Sequence, residues 1–245
     1  MRRRTRALPC LRGLALVLAL PNGLLLAQSD RLPGDALGRG PFGHMQALLE
    51  RTLFKVDVLT LDLCLDAPTS EALARAAGRG GEPERTEIAH LAFQADRALA
   101  VIRFHRDVSM DQFLDGIGDD HQKAVEAGLL ADSTRRALDR DLPTWYAFLE
   151  ERGVKKGDRI AYRFEPGSVR ATYVGVDGRT YLDRTSRGAQ RRASILGAYF
   201  APGASLRERL LDSVLADDAG REDEEGRGGE ARCMTLLGEW GDGRP

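Results

Sequence analysis

Residues 53–65 read LFKVDVLTLDLCL, an alternation of apolar and polar side chains whose period of two predicts a β-strand. The phase changes partway. Phe54, Val56 and Val58 share one parity, and Leu59, Leu61, Leu63 and Leu65 share the other. A slip of one residue turns a buried face toward water, so such a strand must bend at a bulge or be covered on both faces. The expectation is a central strand in a curved sheet.

The rest of the chain supplies the remaining layers. A short helix is expected over 69–77, opened by Thr69 or Ser70, followed by a loop at 78–85. A second apolar strand is expected over 98–104. Ser109 then caps a helix with Asp111 in its first turn, and Phe113, Ile117, His121 and Val125 form its inner stripe. A helical stretch over 132–152 contains Pro143, which predicts a break. A β-ribbon follows: 158–164, then 170–176, the turn Asp177–Gly178, and 179–182. A helix over 187–200, a Pro202–Gly203 break and a last helix opened by Ser205 close the sequence of elements. This order is α+β and disfavours a doubly wound nucleotide fold.

Arg2, Arg3, Arg4 and Arg6 precede the apolar run GLALVLAL and a small residue at Ala27, the pattern of a signal peptide over 1–27. Pro21, Asn22 and Gly23 interrupt that run well short of the roughly 20 residues a membrane span needs. The expected location is therefore the periplasm or the secreted fraction, or the cytoplasm if Met45 is the true start. A linker over 28–44, one domain over 45–216 and an acidic, disordered tail over 217–245 complete the expected organisation. With 36 basic and 37 acidic residues the net charge is −1, which argues against a nucleic-acid partner.

Beyond the leader, Cys64 and Cys233 could pair in an oxidising compartment. Cys64 reads better as a buried small hydrophobe. No spacing of cysteines and histidines suggests zinc, and Asp119, Asp120 and His121 point about 100° apart on a helix, so no metal and no cofactor are expected. There is no phosphate-binding glycine loop and no nucleophile elbow.

The joint RFHRDVSMDQFLDG at 103–116 is the expected mouth of a pocket, with Arg103, His105, Arg106 and Phe113 near it. By strand parity Arg106 shares the face of Ile102 and Phe104. An arginine beside an apolar interior needs a partner, which is either Asp107 or another acid, or the carboxylate of a bound amphiphile. Tyr162, Tyr173 and Tyr199 are read as core or rim aromatics.

Four segments in order, at 52–63, 104–117, 154–160 and 191–211, resemble the chalcone isomerase-like family, most of all its exported bacterial branch. The resemblance implies an open-faced β-sandwich, an antiparallel sheet with helices packed on one side and a ligand cleft between. The plant enzymes of that family cyclise a chalcone using an arginine, two threonines, a tyrosine and an asparagine. In an ungapped register those roles fall near Met45 and on Asp57, Ser194, Phe113 and Asp120. Phe113 has no hydroxyl, and Asp57 and Asp120 carry the wrong sign for a developing oxyanion. No catalytic residue is expected; Ser194 alone is chemically similar, and an enzyme would have to work through it, Tyr162 or the aspartates.

Non-catalytic relatives bind fatty acids, an arginine gripping the carboxylate. Applied here, that implies a ligand site of Arg103, Arg106, Phe104, Phe113 and Ile117, with Asp57, Asp120 and Ser194 beside it. The expected function is an exported, non-catalytic binder of a fatty acid or other apolar small molecule. The alternatives are an isomerase acting on an unknown substrate and an accessory envelope protein without a ligand.

Overall fold

The structure, a computed structural model, describes residues 37–51, 56–77, 81–218 and 225–240. The signal peptide expected over 1–27 and most of the expected linker lie outside these residues.

Six strands form one antiparallel sheet in sequential order: β1 (Gly43–Arg51), β2 (Val56–Leu65), β3 (Ala98–Phe104), β4 (Arg159–Glu165), β5 (Ser168–Val174) and β6 (Thr180–Arg187). The phase change in β2 is a bulge. Leu49 faces Leu59 while Glu50 faces Asp57, which leaves Val58 as the extra residue. Leu61, Leu63 and Leu65 are buried in the core on the helical face, while Cys64 joins the cluster on the opposite one. β3 is covered on both sides: Ala98, Ala100, Ile102 and Phe104 enter the first cluster, Leu99 and Val101 the second. β1 begins inside the expected linker, because Phe42, Met45 and Ala47 all find buried places.

On one face lie α1 (Ala67–Ala76), α2 (Glu82–Gln94), α3 (Met110–Glu126), α4 (Asp132–Trp145) and the single turn α5 (Leu149–Arg152). They are joined by α6 (Ala189–Arg192), a π-helical turn over Ala193–Gly197, the short α7 (Ala198–Phe200) and α8 (Arg207–Asp218). Asp66 caps α1 by accepting from the Thr69 amide at 3.0 Å. The expected break near Pro143 falls after Trp145, where the chain leaves α4 before turning into α5. This is the architecture that the sequence reading implies: α+β, an open antiparallel sheet with helices packed on it.

The C-terminal region departs from expectation. In place of a disordered tail, residues Glu225–Trp240 form a helix, α9, on the outer face of the sheet. Cys233, Leu236, Leu237 and Trp240 are buried there at helical spacing, against Leu37, Phe42, Leu99, Val101, Ala161 and Val174. Cys233 is bonded to Cys64, with Cα atoms 5.7 Å apart, so Cys64 is half of a disulfide and not a free buried thiol. One residue earlier, Arg232 pairs with Asp62 at 2.8 Å. Asp62 is almost fully buried, and burial alone would raise its pKa. Hydrogen bonds from His44, Arg232 and Gln46 outweigh that and hold it well below the usual carboxylate range.

Candidate ligand cavity

The joint between β3 and α3 is built rigidly. Ser109 accepts from the Gln112 amide at 3.2 Å and the Gln112 side chain accepts from the Ser109 amide at 3.3 Å, a reciprocal cap. Val108 and Val154 exchange backbone hydrogen bonds at 2.9 and 3.1 Å, which ties the loop after α5 to the start of α3. Gly153 makes this possible. Its φ is +62°, and a Cβ there would meet the Val108 carbonyl oxygen at 2.9 Å.

Between the helical face of the sheet and helices α3, α4 and α6–α7 lies a cavity of about 370 Å³, within the range typical of small-molecule sites. Ile102, Phe104, Tyr162, Ala171 and Leu182 form its floor. Phe113, Ile117, Asp120 and His121 of α3 form one wall, and Leu138, Leu142, Trp145 and Tyr146 of α4 another. The aromatic rings interlock edge to face, Phe104 with Phe113 at 6.1 Å and Phe113 with Tyr146 at 5.0 Å. Gly116 also lines the cavity, and a Cβ on it would meet nothing within 4 Å.

The polar groups fall into two kinds. Tyr146 and Tyr162 hydroxyls lie 3.3 Å apart, and burial raises the pKa of both and of Tyr199, so all three phenols are protonated donors at neutral pH. His121 is held neutral by burial, its Nε2 donating to the Ser194 carbonyl at 2.7 Å. Arg106, Arg184 and Arg191 bring three guanidiniums to the same cavity. Among the described residues none of the three forms an ion pair with a carboxylate; Arg106 Nε reaches only the Asp107 carbonyl at 3.5 Å, and Arg184 stacks over Trp145 at 4.2 Å. Asp107, the partner considered for Arg106, accepts instead from Lys155 Nζ at 3.0 Å and the Lys156 amide at 2.9 Å.

Of the residues named from sequence, Phe104, Arg106, Phe113, Ile117, Asp120 and Ser194 line the cavity. Arg103 and Asp57 do not. Arg103 lies on the other face of β3, in register with Thr60 and Arg159, as its parity requires. Asp57 is exposed because the Val58 bulge reverses the strand's faces, and Val58 lines the cavity in its stead. His105 also points away, its Nε2 lying 2.6 Å from Thr60 Oγ1.

Asp120 is occupied structurally, accepting from Lys123 Nζ and from both the amide and hydroxyl of Ser205, each at 3.1 Å. The Ser194 hydroxyl donates to the Arg191 carbonyl at 2.8 Å, and His121 contacts the Ser194 carbonyl and not its hydroxyl. That arrangement gives no activated serine. Arg184, Arg191, Trp145 and Tyr146 were missed by the sequence reading. Parity along β6 carries a signal for Arg184, since Leu182, Arg184 and Ser186 alternate onto the cavity face.

Among the described residues no cluster of His, Cys, Asp and Glu could hold a metal ion, and no helix is long and apolar enough to cross a membrane. No family model matches the sequence, and no curated protein is similar to it. Among solved structures, the chain is similar to a fatty-acid binding protein of Arabidopsis thaliana, with a TM-score of 0.46 and 15% identity over 71% of this chain and 86% of that one.

Proposed function

We propose that this protein is an exported, non-catalytic binder of a fatty acid or another carboxylate-bearing apolar small molecule, from the exported branch of the chalcone isomerase-like family. The observation that carries the reading is the cavity: an apolar, aromatic interior of about 370 Å³ lined by neutral phenols and by Arg106, which has no carboxylate partner among the described residues. A guanidinium in such a place gains most from an anion that arrives with its own apolar body. Export is supported by the leader pattern and by the Cys64–Cys233 disulfide, a bond suited to an oxidising compartment.

The isomerase alternative has less support. At the helix position where the family's enzymes carry a tyrosine, Phe113 offers only a ring to the cavity, and the Ser194 hydroxyl is committed to a backbone carbonyl. The accessory-protein alternative leaves the cavity unexplained.

The test is thermal unfolding of the full chain with and without hexadecanoate, together with mass spectrometry of small molecules that co-purify. A ligand at about 100 times its Kd stabilises by about 2.7 kcal/mol, which raises Tm by several degrees. An unchanged Tm across carboxylates of all chain lengths, with no co-purifying amphiphile, would overturn the reading.

A further inference from the structure

Two groups of cations, set apart along the sheet, line the cavity. Arg106 lies just beyond Phe104, where β3 gives way to the loop before α3. Arg184 stands in the cross-strand row Ala100, Tyr162, Ala171, Arg184, at the far side of the sheet. Counting from Ala100 to Arg106 and across from β3 to β6, with about 3.3 Å per residue and about 4.8 Å per strand, the two Cα positions are about 25 Å apart at most. Arg191 follows on α6, immediately after β6, and joins Arg184 in the second group.

Arg184 lies 4.2 Å above the Trp145 ring. The contact orients the guanidinium but does not neutralise it, and its N–H groups remain in plane for an anion. The rest of the lining is aromatic and aliphatic: Phe104, Phe113, Ile117, Leu142 and Leu182. A simple fatty acid satisfies only one group. With its carboxylate at either, its methyl terminus would lie against guanidiniums that it cannot pair: Arg184 is exposed and Arg106 and Arg191 half-buried, so they lose part of their water and gain no anion.

We infer that the ligand carries an anionic group at each end, an acyl chain with carboxylates at both termini, one met by Arg106 and the other by Arg184 with Arg191. The inference rests on the amphiphile-binding reading above and narrows it to a two-headed ligand.

Isothermal titration of the full-length protein with hexadecanedioate and with hexadecanoate tests it. The dicarboxylate binds tighter by about tenfold, the worth of one added charge-assisted contact. The double variant Arg184→Gln, Arg191→Gln weakens hexadecanedioate by about tenfold more than it weakens hexadecanoate, which abolishes the preference. Arg187→Gln removes an exposed charge from the same strand that does not line the cavity, and it keeps the preference. Equal affinity for the two ligands overturns the inference while the amphiphile reading stands. So does equal weakening of both ligands by the double variant, or loss of the preference in Arg187→Gln. Binding of neither ligand removes the amphiphile reading itself.

Discussion

The Tyr173 hydroxyl donates to the carboxylate of Asp158 at 2.6 Å, deep in the wall behind the cavity. The same carboxylate accepts two bonds from Arg152, at 2.8 and 3.1 Å, and one from each of the Lys155 and Val176 amides, both at 2.8 Å. One fully buried side chain thus joins α5, the turn before β4, strand β5 and the loop after it. Replacing it with alanine strands an arginine, a phenol and two amides together. Asp158→Ala is expected to cost about 3–5 kcal/mol, as for a broken buried pair, read by denaturant unfolding.

The same carboxyl sets an acid limit. Burial alone would raise its pKa, but the bonds from Arg152, Tyr173 and the two amides prevail and lower it. Asp62 is depressed in the same direction. A carboxyl whose folded pKa lies below its unfolded value of about 3.9 contributes stability that is complete above that pH and lost as pH falls through the folded pKa. Stability should therefore be level from neutral down to about pH 5 and drop below about pH 4. Asp158→Asn should be less stable at neutral pH with a shallower acid limb; an acid limb as steep as the parent's would count against this assignment.

Gly116 offers a way to close the cavity without harming the fold. It sits within α3, lines the cavity, and has open space where a side chain would grow. Gly116→Leu should raise unliganded stability by up to about 1 kcal/mol, through the helix propensity regained, and abolish amphiphile binding. Loss of stability together with retained binding would show that the space is not the ligand's.

Arg106→Gln keeps a hydrogen-bond donor and removes the charge. With no ion pair to break among the described residues, Tm in the absence of ligand should move little. Affinity for a carboxylate amphiphile should fall by about tenfold to a hundredfold, while the neutral methyl ester binds parent and variant alike. A thermal-shift titration of acid against ester separates charge recognition from lost packing.

Reduction should loosen the outer layer. The Cys64–Cys233 bond joins residues 169 positions apart. The double variant Cys64→Ala, Cys233→Ala is expected to be less stable by about 2–5 kcal/mol. Arg232 and the buried Leu236, Leu237 and Trp240 should still keep α9 docked at neutral pH. Limited proteolysis under reducing conditions, with cleavage first in α9, checks the order of release.

Much of the frame was legible because it rests on periodicity. The shift of parity in β2 announced the Val58 bulge, the Ser109 cap marked the start of α3, and parity placed Arg106 and not Arg103 on the cavity face. What failed did so for physical reasons. A register carried along the strand without a gap cannot survive a bulge, so Asp57 was aimed inward when it points to water. The helix α9 was illegible because a four-residue stripe in a polar segment falls below what composition detects. Its partner surface is assembled from the segment before β1 and from β2 to β5, and is not present in the local sequence. Arg184 and Arg191 look like surface charge until the fold turns them toward one apolar space.

The position of α9 after all six strands has a consequence for how the protein matures. Leu99, Val101, Ala161 and Val174 belong to strands made early and in the middle of synthesis, yet the helix that covers them is the last element described. For a chain that emerges N-terminus first, that patch stays uncovered until residue 240 is free to fold back. Until then the nearly complete sheet presents an adhesive apolar surface, and the docking of one helix removes it.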